Sequence, residues 1–189
     1  MGQRMFVAIR PPEPVRDSLA DFLEPREGMP WIAAEQWHLT LAFSAGVPEH
    51  RVDELVDRLQ VKAAKRRAFA AYLSGAGAFP NPAKAQVLWL DLPVAGDGEV
   101  LGRLAMGARA ALGKVGAAPD GKRFTPHVTV ARLRRPIEAT RWLRVLDTYR
   151  SPEWVVDEIE LVASHLGEGP SGRPRHETVA TIPLGVGDD

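Results

Sequence analysis

The stretch "QWHLTLAF", residues 36–43, sets a histidine and a threonine two positions apart in a segment that otherwise reads as a strand lining a core. In a strand, side chains at i and i+2 leave the same face, so His38 and Thr40 point one way while Leu39, Leu41 and Phe43 point the other. The pattern returns in "TPHVTVAR", residues 125–132, where His127 and Thr129 share a face opposite Val128 and Val130. A single His-x-Thr in a strand is ordinarily a structural residue with its hydrogen bonds met. Two copies at the same parity, each between amphipathic helices, point to two related lobes whose polar faces meet across a cleft. The spacing is too long for a solenoid repeat.

The rest of the chain fits this picture. Helical periodicity is visible in four segments. "PEPVRDSLADFLEP" aligns Val15, Leu19, Phe22 and Leu23, and "PEHRVDELVDRLQVKAAKRR" aligns Val52, Leu55, Val56 and Leu59. Gly98 to Val115 aligns Leu101, Leu104, Ala108 and Leu112, and "PIEATRWLRVLDTYR" aligns Trp142, Val145, Leu146 and Tyr149. Between them lie "MFVAIR", "WHLTLAF", "AYLSGAGAF", "AQVLWLDL", "FTPHVTVARL", "VVDEIELVASHL" and "ETVATIPL", all with strand character. Strands alternating irregularly with four helices point to an α+β or α/β arrangement of helices packed on sheets. No Gly/Ser linker or charge block divides the chain, so residues 1–189 are expected to form one two-lobed domain.

The 189 residues are 45% hydrophobic and 25% charged, with a formal net charge of zero, so no global field draws the molecule to nucleic acid or an anionic membrane. Affinity for phosphate must come from local clustering. Cysteine is absent, which excludes disulfides, thiolate nucleophiles and sulfur-based zinc sites. The opening "MGQRMFVAIRPPEP" lacks a secretory pattern and no window approaches 18 apolar residues. A cytoplasmic protein with no membrane association is expected, and a monomer, since no apolar helix face is left unpaired.

Histidine titrates near neutrality, so two opposed imidazoles can divide the work of acid and base. One, neutral, takes a proton from water while the other, charged, gives one to a leaving oxygen. Threonine hydroxyls beside them can donate to the non-bridging oxygens of a phosphate. This constellation suits phosphodiester cleavage without a metal or other cofactor. A metal site would want further His or carboxylate ligands on the same face. Neither a Gly-rich phosphate loop nor a G-x-S-x-G nucleophile elbow is present.

Paired motifs "HLTL" at 38–41 and "HVTV" at 127–130 resemble the signature of the two-histidine phosphoesterase superfamily. The finer resemblance is to its bacterial and archaeal RNA 2′,3′-cyclic phosphodiesterases, also called 2′-5′ RNA ligases. It runs through "MFVAIRPP", "WIAAEQWHLTLAF", "GAFPNPAKAQVLWLDL", "RFTPHVTVARLRRP", "ELVASHL" and "TIPL". The resemblance implies a bilobal pseudo-symmetric fold, with antiparallel sheets lining a central cleft and helices outside. It implies hydrolysis of a terminal 2′,3′-cyclic phosphate of RNA to a 2′-phosphate, and in some members joining or cleavage of 2′-5′ linkages in tRNA halves. His38 would donate the proton to the leaving 3′-oxygen, His127 would accept one from water, and Thr40 and Thr129 would hold the phosphate.

Around the second motif Lys122, Arg123, Arg132, Arg134 and Arg135 concentrate positive charge that can hold RNA phosphates. Arg132 resembles the arginine that closes the family's motif, yet strict alternation sends it to the face opposite His127. A bulge or the strand end must turn it. Phe43, Phe124 and Trp37 flank the motifs and are candidates to stack a base, although aromatics at alternating strand positions ordinarily bury themselves. His50, His165 and His176 read as incidental. Relatives commonly carry arginine where this chain has Pro30, proline where it has Ala34, and tyrosine about where His176 falls. Two other functions compete with RNA-end hydrolysis: an RNA-end binding module without turnover, and a phosphodiesterase for small cyclic nucleotides.

Overall fold

A computed structural model describes residues 2–186. The elements run β1 (Gly2–Ile9), α1 (Glu13–Leu23), β2 (Leu39–Pro48), α2 (Val52–Ala63), β3 (Phe69–Ala71), β4 (Ala76–Phe79), β5 (Ala85–Leu90), α3 (Val100–Lys114), β6 (Val128–Ile137), α4 (Thr140–Leu146), β7 (Trp154–Val156), β8 (Glu158–His165) and β9 (Arg175–Pro183). Seven strands form one sheet in the order β4-β5-β6-β2-β1-β8-β9, and all its pairings are antiparallel. β3 and β7 make a separate two-stranded sheet.

The apolar helix stripes predicted from periodicity decide which face of the sheet is covered. Leu19 of α1, Leu59 of α2, Leu104 and Leu112 of α3 and Leu146 of α4 belong to one buried cluster with Val7, Ile9, Leu39, Val128 and Val130 of the sheet. Phe6, Ala8 and Val162, with Phe43 against them, form a second, small cluster, made of the residues that alternate to the other face. The helices therefore lie on one side and leave the other side of the sheet open.

Three elements depart from their sequence boundaries for local reasons. "AYLSGAGAF" is two strands, because Gly75 (φ +86°) turns the chain between them and Leu73 donates its N–H to the Ser151 hydroxyl at 2.8 Å. "VVDEIELVASHL" divides at Asp157, its first part pairing with β3. The fourth helix is shorter than its periodicity suggests. Pro136 and Ile137 stay in β6, and the Glu138 carboxylate accepts from the Thr140 N–H at 3.1 Å where the helix begins.

The two halves of the main sheet meet at one residue pair, Leu39 opposite Val128. Beyond it the strands part, and each is flanked by the segment that precedes the other. Ile32 donates its N–H to the Val130 carbonyl (2.8 Å), while Asp120 donates to that of Phe43 (3.2 Å). The junction carries the motifs, since Leu39 follows His38 and Val128 follows His127. Extending the antiparallel register one step either way sets His38 opposite Thr129 and Thr40 opposite His127. All four polar side chains thus belong to one patch on the uncovered face.

Candidate active site

Each histidine sits just before its strand rather than inside it, and each is held in the same way. His38 Nδ1 lies 2.7 Å from the Gln36 carbonyl, and His127 Nδ1 lies 2.6 Å from the Thr125 carbonyl. A carbonyl only accepts, so Nδ1 carries the proton in both rings and Nε2 is left with its lone pair free for the cleft. The rings are then wedged by aromatic side chains from other strands. His38 stacks on Phe6 (4.6 Å between centroids, 22°), and Ala8, the residue between Phe6 and the junction, carries only a methyl and leaves room for it. His127 packs edge-to-face with Phe79 (4.9 Å, 88°) and tilted against Trp89 (6.1 Å, 58°).

Both motif strands contain a β-bulge at the same step. Pairing of β1 with β2 jumps from Ala8–Thr40 to Val7–Ala42, and that of β5 with β6 from Trp89–Thr129 to Leu88–Ala131. Consecutive residues Leu41 and Ala42, and likewise Val130 and Ala131, are therefore all buried in the helix-side core. The residue after each bulge is turned to the open face. In β6 this is Arg132, opposite Val87, which shares a face with Trp89 and Thr129. Strict alternation mis-assigns it, and the bulge is what brings it round. In β2 it is Phe43, opposite Phe6, on the same face as His38 and Thr40 and not on the opposite one.

Electrostatics tie these groups together. Burial pushes the His38 imidazole down to about 4, against the raising effect of the Gln36 carbonyl; the charges of His176, Arg10 and Arg132 lower it further. Burial also lowers His127, opposed by the Thr125 carbonyl and assisted by Arg132. Arg132 acts on both rings, as a cation placed between the two halves would. Its own guanidinium is lowered by partial desolvation but stays charged.

The other candidates fall elsewhere. Phe124 lies with Lys122 and Pro126 in a pocket of about 870 Å³ beside α3, packed against the helix-side core. Trp37 is 2% exposed and belongs to that core. Arg123 is exposed on the loop before β6 and makes no hydrogen bond or ion pair among the described residues. His176, by contrast, is no incidental residue. It stands 5.5 Å from His38 and 5.0 Å from Phe6, edge-on to both, with its Nδ1 buried and unpartnered among the described residues. Phe6, Phe79 and Trp89 also line the site, and no local spacing marks them. Among the described residues no three His or carboxylate groups converge as metal ligands.

An antiparallel sheet covered by helices on one face, with two His-x-Thr strands meeting at the centre of the other, defines a class of two-histidine protein. The family model described as the 2′-5′ RNA ligase superfamily matches residues 11–168. The RNA 2′,3′-cyclic phosphodiesterase of Archaeoglobus fulgidus is 32% identical over 135 residues, 70% of this chain and 73% of that one. Its counterpart in Thermus thermophilus is 30% identical over 168 residues, 86% of this chain and 82% of that one. The solved structure of TT0787 of Thermus thermophilus superposes with a TM-score of 0.76 at 28% identity, covering 97% of this chain and 98% of that one. Escherichia coli LigT complexed with 3′-AMP gives 0.70 at 26% identity, over 97% and 99%. The chain belongs to the 2′-5′ RNA ligase superfamily.

Proposed function

We propose that the protein hydrolyses the terminal 2′,3′-cyclic phosphate of RNA to a 2′-phosphate, with His38 and His127 as acid and base. The observation that carries this is the patch of His38, Thr40, His127, Thr129 and Arg132 on the open face, its two imidazoles fixed by equivalent carbonyl contacts. Relatives named RNA 2′,3′-cyclic phosphodiesterase supply the substrate class.

The cyclic phosphate lies between the two motifs with its non-bridging oxygens toward the Thr40 and Thr129 hydroxyls and Arg132. His127 takes a proton from water through Nε2 as the water oxygen bonds to phosphorus. The bond from phosphorus to the 3′-oxygen breaks, and His38 gives that oxygen its proton. The products are a 2′-phosphate and a free 3′-hydroxyl. Both imidazoles are held neutral in the free protein, so His38 takes up its proton from solvent as the anionic phosphate binds, whose charge offsets Arg10 and Arg132 and favours the imidazolium. RNA 3′ ends, tRNA halves among them, are the corresponding partners.

An oligonucleotide ending in 2′,3′-cyclic phosphate, incubated with the protein in EDTA, tests the proposal. The expected product is the 2′-phosphate. A 3′-phosphate product, or recovery of unchanged substrate, contradicts it.

A further inference from the structure

The bulges make Phe43 the counterpart of Arg132: each is the fifth residue after its histidine and each is turned to the open face. One half presents a cation at this step and the other an aromatic ring. A cation is nonetheless present there, because the Arg4 guanidinium lies over the Phe43 ring, 4.3 Å from its centroid. Stacking on a ring holds the guanidinium flat while leaving its N–H edges free.

Arg4 is half-buried and forms no ion pair among the described residues. Glu160, facing Ala8 across the sheet, is held by Arg10 at 3.1 Å and accepts from the Thr178 hydroxyl at 3.2 Å. Asp120, whose N–H bonds the Phe43 carbonyl, directs its carboxylate to Arg109 at 3.5 Å. On β1 the row of Phe6 and Phe43 lies two residues, or about 7 Å, from the row of Ala8 and Thr40. That displacement is comparable to the step between successive phosphates of a single strand.

We propose that Arg4, seated on Phe43, binds the phosphodiester on the 5′ side of the terminal nucleotide, so that the site selects an RNA chain over a mononucleotide. The proposal rests on the function argued above and deepens it. Arg4 then acts on binding of the longer substrate, while His38 and His127 act on chemistry common to both.

The test compares kcat/KM for a dinucleotide and a mononucleoside, both ending in 2′,3′-cyclic phosphate, in wild type, Arg4→Met and Arg4→Lys. Methionine keeps an unbranched apolar stem against Phe43 and removes the charge. The selectivity ratio, dinucleotide over mononucleotide, is expected to fall about tenfold in Arg4→Met, the order of one solvent-accessible charged hydrogen bond. Arg4→Lys should fall in between. An unchanged ratio in Arg4→Met overturns the proposal. If wild type turns over neither substrate, the proposed function has failed, and calorimetric titration with the dinucleotide 2′-phosphate decides the subsite alone. A tenfold weaker Kd in Arg4→Met upholds it, and equal Kd values overturn it.

Discussion

Holding His38 neutral is the main electrostatic fact of the free site, and it has a kinetic signature. Burial and three positive neighbours lower it to about 4, and His127 is also lowered from the usual value. In the proposed mechanism the productive form needs His38 charged and His127 neutral, so in the free protein it exists only as a minor share between two acidic apparent values that belong to the pair. The kcat/KM profile should therefore be bell-shaped, its alkaline limb falling below the ordinary histidine value of about 6.5. A bound phosphate anion raises both imidazoles, so the alkaline limb of kcat should lie at higher pH than that of kcat/KM. Steady-state rates across about pH 4 to 8 check this. Coincident limbs, or kcat/KM still rising above neutrality, would count against the pair as assigned. The two histidines and two threonines were legible in the sequence because i, i+2 spacing is local. His176 also heads a His-x-Thr, with Thr178 two residues on, but its approach to His38 depends on the pairing of β8 with β9 and β1 with β8, which that spacing does not encode.

Strands, more than single residues, explain why alternation misplaced Arg132 and Phe43. Each motif strand spends two consecutive apolar residues on the core, and a period-2 reading has no means to detect that from "LTLAF" or "VTVAR" alone. The same dependence on partners governs β4. Gly77 lies opposite Trp89, and the Trp89 indole occupies the space a side chain on Gly77 would need. Trp89 is in turn one of the rings against His127. Gly77→Ala should displace the indole, costing about 1–3 kcal/mol of stability as overpacking does. It should also lower kcat by loosening His127. Denaturant unfolding together with turnover checks both; a variant with wild-type stability and rate would show that the indole has room to move and does not position the ring.

On the scale of the whole molecule, the helices were legible because their apolar stripes repeat locally, as with Leu55 and Leu59 of α2 or Leu104 and Leu112 of α3. Together with the strand segments they limited the chain to an α+β or α/β arrangement. That the two half-sheets join through the single pair Leu39–Val128 was not legible, since it is a long-range contact between segments with no distinguishing composition. Yet this junction is what assembles the proposed phosphate site in a chain of zero net charge. It gathers His38, His127, Thr40, Thr129 and Arg132 at the one place where the halves touch, on the face the helices leave open. The central claim is that the two histidines act on one phosphate as a unit. The most direct measurement is single-turnover hydrolysis of a cyclic-phosphate oligonucleotide by His38→Ala, His127→Ala and the double variant. Each single change should slow the reaction on the order of 10²- to 10⁴-fold, and the double variant should be little slower than the worse single one. Full activity in either single variant, or losses that simply multiply in the double, would contradict it.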